Sequence, residues 1–139
     1  MSRALVLDTN VLVSAALKPA SDAARIVEFV LLRQAPIHVC PSIMLGCREV
    51  LNRPKFRPKG FPPLWLPRLL QVAFHEPEPA PWSFDGPDQD DLVFLSLAKA
   101  TGAVLVPGNL AHFPENLRDG VSVLSPAAYL AWNQGHPDV

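Results

Sequence analysis

Carboxylates at two distant points of the sequence are the residues best suited to chemistry. Asp8 directly follows the apolar run Leu5–Leu7, and a second group, Asp88, Asp90 and Asp91, precedes another apolar segment. A carboxylate at the end of a buried strand is costly unless a cation or a set of hydrogen-bond donors compensates its charge. Hard oxygen ligands select Mg²⁺ or Mn²⁺ over zinc, and such an ion can activate water and stabilise charge on a phosphodiester.

A structural explanation competes with this metal hypothesis. Asp8 can instead accept hydrogen bonds from the amides of the turn that follows it, and from spacing alone the two explanations are equally good. Acidic residues at the start of a helix are stabilised by the helix dipole whatever their function, so for residues 88–91 the structural explanation is the stronger one. The spacing of the carboxylates therefore leaves both explanations open.

The elements predicted around these carboxylates alternate between strands and helices. Strands are predicted at residues 4–8, 37–40, 103–106 and 121–124, with a further short strand at 72–74 or 75–80 as an alternative. Helices are predicted at 11–17, 22–34, 41–52, 64–74, 88–101 and 125–132, and a loop at 108–114. Such alternation predicts a parallel sheet covered on both faces, with ligands at the carboxyl ends of its strands. Asp8, the acidic group and the loop would meet at that edge.

Composition indicates one globular, soluble domain. The chain has 139 residues, 49% of them hydrophobic, and a formal net charge of −1, so nucleic-acid binding would need a local basic patch. Cys40 and Cys47 do not form a CxxC pair and are expected to be reduced thiols in a cytoplasmic protein. We expect no membrane span and no signal peptide, because no apolar run reaches about 18 residues and a strand begins almost at once. The 16 prolines concentrate between Pro54 and Pro87 and indicate an extended connector.

Four segments, in this order, resemble the PIN domain family: DTNVLVSA, REVLNRPKF, DQDDLVFLSLA and GNLAHFP. The resemblance covers nearly the whole chain, and the nearest group comprises the toxin components of bacterial toxin–antitoxin pairs. It implies a single domain over residues 1–139, with an α/β fold built as a three-layer α/β/α sandwich on a mainly parallel central sheet. It also implies Mg²⁺- or Mn²⁺-dependent cleavage of RNA and a small antitoxin protein as partner. A homodimer is a further candidate assembly.

The resemblance also assigns roles to individual residues. Asp8 and Asp91 match catalytic, metal-binding carboxylates, and Asp90 is a neighbouring acid that can add to the metal site. Asn10 and Ser14 are supporting polar residues. These roles rest on the motifs and not on the spacing of the acids.

Three positions depart from the family's pattern. Gly46 stands where the family usually has Glu, and Pro107 stands where the loop typically has Thr, so a hydroxyl and an amide hydrogen are lost. Asn109 offers a neutral oxygen in place of the charged one of Asp, although a branch of the family also has Asn here. Glu49 lies one helical turn after Gly46 and is a candidate metal ligand in its place. An ion pair of Glu49 with a neighbouring cation, such as Arg53, is an equally good interpretation.

A basic run follows the REVL motif and is suited to an RNA backbone. It consists of Arg53, Lys55, Arg57 and Lys59, with Phe56 and Phe61 interleaved. His112 is a candidate for phosphate contact or proton transfer, whereas packing against Phe113 is the commoner role of a loop histidine. A solvated turn explains the basic run equally well.

Three functional hypotheses follow. The leading one is a metal-dependent endoribonuclease that acts as the toxin of a toxin–antitoxin pair, with catalysis weakened if Gly46 replaces an acid that the family uses. The second is a PIN fold that has lost catalysis and binds RNA or a protein. The third, a doubly wound small-molecule phosphatase, ranks last because it would need a DxD motif, and Asn10 occupies the second acidic position.

Overall fold

The computed structural model describes residues 4–135, with side chains as far as residue 133. Its strands are β1 (Leu5–Leu7), β2 (His38–Val39), β3 (Phe74–His75) and β4 (Val104–Val106). Its α-helices are α1 (Thr9–Leu17), α2 (Asp22–Leu31), α3 (Pro41–Leu51), α4 (Leu66–Val72), α5 (Leu92–Thr101) and α6 (Pro126–Gly135). Short 3-10 turns lie at Pro54–Lys59, Gln89–Asp91, Leu110–His112 and Glu115–Leu117. None of the helices in this part of the chain is long and apolar enough to cross a bilayer.

The strands form a parallel sheet in which β1 is central. β1 pairs with β4 and β2 pairs with β3, both in parallel, and an isolated bridge between Leu5 and Ile37 joins the two pairs. Every residue of β1 and β4 is buried. Because successive side chains of a strand point to opposite faces, helices must cover both faces of the sheet. The predicted α/β sandwich with a mainly parallel sheet is confirmed.

The predicted strand at residues 121–124 is wrong as an element of that length. Only Val123 forms a bridge, to Leu105. Leu105 donates to Ser122 O at 2.9 Å and accepts from Leu124 N at 3.0 Å, and the chain then turns into α6. Helix α6 begins at Pro126, so the chain leaves the sheet before a second pair of hydrogen bonds can form. At the other edge of the sheet, β3 includes the last residue of one predicted range, 72–74, and the first residue of the other, 75–80.

Local sequence signals explain most helix ends. Ser21 caps α2 by accepting a hydrogen bond from Ala24 N at 3.2 Å. That helix ends at Leu31, earlier than the predicted Gln34, because Arg33 adopts a left-handed conformation with φ of 59°. Gly102, with φ of 75°, ends α5 as predicted.

The predicted helix at residues 88–101 begins differently, as the 3-10 turn Gln89–Asp91. Asp88 caps this turn by accepting a hydrogen bond from Asp90 N at 3.0 Å. α5 then begins at Leu92 and packs against β1, β2 and β4. The turn therefore presents the acidic residues beside the end of the sheet.

The proline-rich segment contains α4 and β3, and from Glu76 to Trp82 it has no helix or strand. Ser42, in the first turn of α3, donates from both its backbone N–H and its hydroxyl to the carboxylate of Glu78. These hydrogen bonds lower the pKa of Glu78. Trp82 Nε1 donates to Leu117 O at 2.9 Å. The extended connector is therefore held at both ends.

Candidate metal centre

Asp8 lies where β1 ends and α1 begins. Its side chain is almost fully buried, with 1% of its surface exposed. Oδ1 accepts a hydrogen bond from Asn10 N at 2.9 Å, and Oδ2 accepts one from Gly108 N at 3.2 Å. Burial raises the pKa of Asp8, while these two hydrogen bonds act in the opposite direction. The backbone donors expected from the structural explanation are thus present, and they hold the carboxylate in a fixed position.

Asp91 lies at the junction of the 3-10 turn and α5 and is 8% exposed. Its Oδ2 lies 2.9 Å from Nδ1 of His112, although within the described residues neither atom makes a hydrogen bond of good geometry. Burial, followed by the negative charges of Asp8 and Asp88, raises the pKa of Asp91 to about 6, although His112 acts against this shift. Asp91 is therefore a buried carboxylate with little compensation from the protein.

One cavity of about 660 Å³ connects these carboxylates. Its acidic lining consists of Asp8, Glu49, Asp88, Asp90 and Asp91. Arg53 is the one cation among the described lining residues, and Asn10 and Gly46 also line the cavity. The structure thus brings together acids from β1, α3 and the 3-10 turn before α5, at the carboxyl edge of the sheet where the fold predicts a site.

Glu49 combines both interpretations that its position allowed. Its Oε1 lies 3.4 Å from Nη2 of Arg53, one turn further along the chain, and 74% of its side-chain surface is exposed. Glu49 also lines the cavity, together with Gly46. An added Cβ at Gly46 would have no neighbour within 4 Å, so the position of the usual family acid is open space.

Other candidate residues lie outside the lining of this cavity. Asn109 accepts a hydrogen bond from Ala111 N at 3.0 Å and so caps the 3-10 turn after β4. Ser14 is exposed on α1. Lys55, Arg57 and Lys59 are exposed on the 3-10 turn Pro54–Lys59, which follows Arg53.

The aromatic residues of the basic run have a structural role. Phe56 and Phe61 stack with ring centroids 4.7 Å apart, and Phe61 is buried. The ammonium group of Lys55 lies 5.1 Å from the centre of the Phe56 ring. Phe61 is consequently not available to stack on a base, and the basic run offers charge rather than an aromatic platform.

Two features of the site escaped sequence reasoning. His112 contacts Asp91, whereas the sequence suggested phosphate contact, proton transfer or packing against Phe113. Cys47 lies beneath the site, with Sγ 3.7 Å from Oγ1 of Thr9, and burial together with the charge of Asp8 raises its pKa to about 11. Cys47 is therefore a neutral thiol at physiological pH and does not compete for a hard cation.

The donor set fits Mg²⁺ or Mn²⁺ held partly by water. Within residues 4–133, no three His, Cys, Asp or Glu side chains are grouped closely enough to bind a metal ion by themselves. Mg²⁺ is usually bound through one or two carboxylates and keeps several water ligands. Asp8 and Asp91 supply two such carboxylates on one cavity, and the negative charge of Asp8 contributes to the raised pKa of Asp91. A cation between them would relieve this repulsion.

The parallel sheet, its covering helices and the acids at its carboxyl edge define an α/β domain with an acidic candidate site. The sequence model of the PIN domain matches residues 4–111. The chain therefore belongs to the PIN domain family, as the four motifs predicted, and PIN domains are generally metal-dependent nucleases. No curated protein matches the chain.

Proposed function

We propose that this protein is a Mg²⁺- or Mn²⁺-dependent endoribonuclease. The observation that carries the proposal is the pair Asp8 and Asp91, two buried carboxylates on one cavity. Among the described residues, the imidazole in contact with this pair is that of His112, next to Asp91. Two negative charges on one cavity, of which one raises the pKa of the other, favour a divalent cation over two protons at neutral pH. When bound, such an ion supplies an activated water and stabilises charge on a phosphodiester.

The protein's own residues would position the ion and the substrate. Asp8 would act from a carboxylate fixed by two backbone N–H groups, and Asp91 from the start of α5. Asp90 is exposed on the cavity wall, where it can bind water ligands of the ion. Arg53 lines the same cavity and can pair with a substrate phosphate instead of with Glu49.

The basic run supports RNA as the substrate. Arg53 belongs both to this run and to the cavity lining, so a backbone bound by Lys55, Arg57 and Lys59 would continue towards the acids. The formal net charge of the chain is only −1 overall, and the four cations alternate within seven consecutive residues, 53–59, without an acid between them. This is the local patch that binding of a phosphate backbone requires.

We further propose that the protein is the cytoplasmic toxin of a toxin–antitoxin pair, with a small antitoxin protein as partner. The support is the resemblance of its four motifs to that group. The direct test is to identify a small antitoxin-like protein encoded beside this chain and to measure RNA cleavage when the two proteins are mixed. We expect the antitoxin-like protein to block cleavage. A homodimer is also proposed, because Leu64 is 98% exposed between two largely apolar grooves.

A PIN fold without catalysis is the second candidate function, and Gly46 favours it. Without an acid at this position the described cavity offers no three-ligand metal site. Such a protein would bind RNA through the basic run and leave it intact.

The experiment measures Mn²⁺ binding by calorimetry and cleavage of single-stranded RNA, with wild type and Asp91→Asn. We expect wild type to bind Mn²⁺ and cleave, and Asp91→Asn to do neither. Asp119→Asn is the matched control. Asp119 is exposed, its Oδ2 lies 3.5 Å from Nζ of Lys99, and neither residue belongs to the lining of the acidic cavity. Mn²⁺ binding without cleavage would favour the binding-only function, and wild type that binds no Mn²⁺ would overturn the proposal.

A further inference from the structure

The two candidate ligands are held in place by different means. Asp8 has a backbone N–H on each carboxylate oxygen. Asp91 caps α5 by its backbone conformation alone, with no hydrogen bond from its side chain to the helix. Nδ1 of His112 lies 2.9 Å from Oδ2 of Asp91, within hydrogen-bond distance, but the two groups are not aligned as a hydrogen bond in this conformation. A rotation of the imidazole about its Cβ–Cγ bond would bring Nδ1–H into line with Oδ2. Among the residues with described side chains, His112 is thus the group placed to orient Asp91.

The loop after β4 fixes the position of His112. Asn109 accepts from Ala111 N at 3.0 Å with its side chain and from His112 N at 3.1 Å with its carbonyl oxygen. The next residue, Phe113, is fully buried, and its carbonyl accepts a hydrogen bond from Arg118 Nε at 2.8 Å. The imidazole therefore projects from a turn that is anchored on both sides, so it can hold a partner in place.

We propose that His112 is a positioning residue for metal binding: its Nδ1–H donates to Oδ2 of Asp91 and leaves the other carboxylate oxygen for the ion. This proposal rests on the proposed metal-dependent function. Groups that orient a metal ligand from outside the coordination sphere commonly fix its geometry through a hydrogen bond of this kind. His112 acts through Asp91 and has no contact with the ion in this role.

A competing account treats His112 as a stand-in cation. In that case the imidazole neutralises Asp91 in the metal-free protein, and the ion must displace it. The two accounts predict opposite effects of removing the imidazole. A positioning residue strengthens metal binding, whereas a stand-in cation weakens it.

The test compares His112→Asn with His112→Leu by Mn²⁺ calorimetry at neutral pH. The side-chain nitrogen of Asn is bonded to Cγ, as Nδ1 is in histidine, so Asn can keep the donor, while Leu keeps a similar bulk without one. We expect His112→Leu to bind Mn²⁺ about 10- to 100-fold more weakly than wild type. His112→Asn should recover most of that loss. His75→Ala is the control, because Nε2 of His75 is hydrogen-bonded to the carbonyl oxygen of Leu70 at 2.7 Å and the residue lies outside the lining of the acidic cavity.

The outcomes separate this proposal from the function on which it rests. Equal Mn²⁺ affinity for the Leu and Asn variants, or tighter binding by His112→Leu than by wild type, would overturn the positioning role and leave the metal site intact. Wild type that binds no Mn²⁺ would overturn both. Weak binding by His112→Leu with recovery in His112→Asn supports the donor role, since a loss of packing alone would not be repaired by an amide.

Discussion

The backbone N–H of Gly108 donates a 3.2 Å hydrogen bond to Oδ2 of Asp8, which joins the loop after β4 to the end of β1. This contact requires the two segments to approach closely. A Cβ added at Gly108 would lie 2.6 Å from Cβ of Asn10, well inside van der Waals contact. Glycine is therefore needed at this position because there is no space for a side chain. Its backbone conformation does not require glycine, since Gly108 is not among the described residues with positive φ.

Gly108→Ala should destabilise the fold and loosen Asp8. Because the new methyl group must push the loop away from Asn10, we expect the free energy of unfolding to fall by about 1–3 kcal/mol. Urea denaturation measures the loss, and calorimetry with Mn²⁺ should show weaker binding as the Gly108–Asp8 hydrogen bond lengthens.

Gly46→Ala is the matched glycine control. An added Cβ there has no neighbour within 4 Å, and the residue lies inside α3. The free energy of unfolding of this variant should rise by up to about 1 kcal/mol, because alanine has a higher helix propensity than glycine. If Gly108→Ala proved as stable as Gly46→Ala, the close approach to Asn10 would not constrain the loop.

The raised pKa of Asp91 predicts a dependence of stability on pH. Between its ordinary value of 3.8 and about 6, the folded protein binds more protons at Asp91 than the unfolded chain does. Stability should therefore decrease as pH rises through this interval, by up to about 1.4 kcal/mol per pH unit, and change no further above it. The raised pKa of Asp8 acts in the same direction.

Urea denaturation of wild type and Asp91→Asn at several pH values isolates this contribution, because the other titrating groups are common to both proteins. The variant should be the more stable of the two at pH 7 without metal. Saturating Mn²⁺ should reverse the order, since it stabilises only the protein that binds it. A difference between the two proteins that does not vary from pH 4 to 7 would contradict the shift.

The fold was largely predictable from the sequence, because apolar runs and turn residues mark most elements. Ser21 and Gly102 identify helix ends by their own chemistry. The predicted length of the strand at residues 121–124 was too great, since its pattern does not reveal that pairing with the sheet is limited to one bridge, between Val123 and Leu105. Of its apolar residues, Val121 is buried, whereas Val123 and Leu124 are only partly buried.

The site was predictable only in part. Motifs locate Asp8 and Asp91, and spacing along a helix accounts for the pair of Glu49 with Arg53. The contact between Asp91 and His112 depends on the conformation of the loop that Asn109 caps, and no periodic pattern describes that loop. Its arrangement depends on tertiary structure, which brings the ends of β1 and β4 to the same edge.

The basic run should determine the salt dependence of RNA binding. Arg57 and Lys59 are both exposed, so replacing the two with alanine should weaken binding with little effect on folding. Each lost phosphate contact on a single strand lowers the slope of log K against log salt by about 0.7, so the double variant should lose about 1.4 in slope.

Fluorescence anisotropy with a labelled single-stranded RNA at several salt concentrations measures that slope. Lys18→Ala with Lys99→Ala is the control, since it removes the same charge from exposed positions outside the run. An equal fall in slope for both double variants would indicate a general effect of net charge. The basic run would then be interpreted as a solvated turn without a specific role in RNA binding.

The last prediction concerns the acid that Gly46 replaces. The structure leaves open space at Gly46 on the same cavity as Asp8 and Asp91, whereas Glu49 is mostly exposed and pairs with Arg53. We expect Gly46→Glu to bind Mn²⁺ more tightly and to cleave single-stranded RNA faster than wild type, because it adds a ligand and a charge. Gly46→Gln is the control, since it has the same shape without the charge.

Glu49→Gln tests the competing explanation, in which Glu49 already serves as the missing acid. If it does, Glu49→Gln should lose Mn²⁺ affinity and cleavage, and Gly46→Glu should add nothing because the site is complete. If Glu49 only pairs with Arg53, Glu49→Gln should leave Mn²⁺ affinity unchanged and cost little stability, since an exposed pair of this kind contributes at most about 1 kcal/mol. A gain in Gly46→Glu that Gly46→Gln does not share would show that the cavity lacks one negative charge, and that Gly46 is the position where this charge is missing.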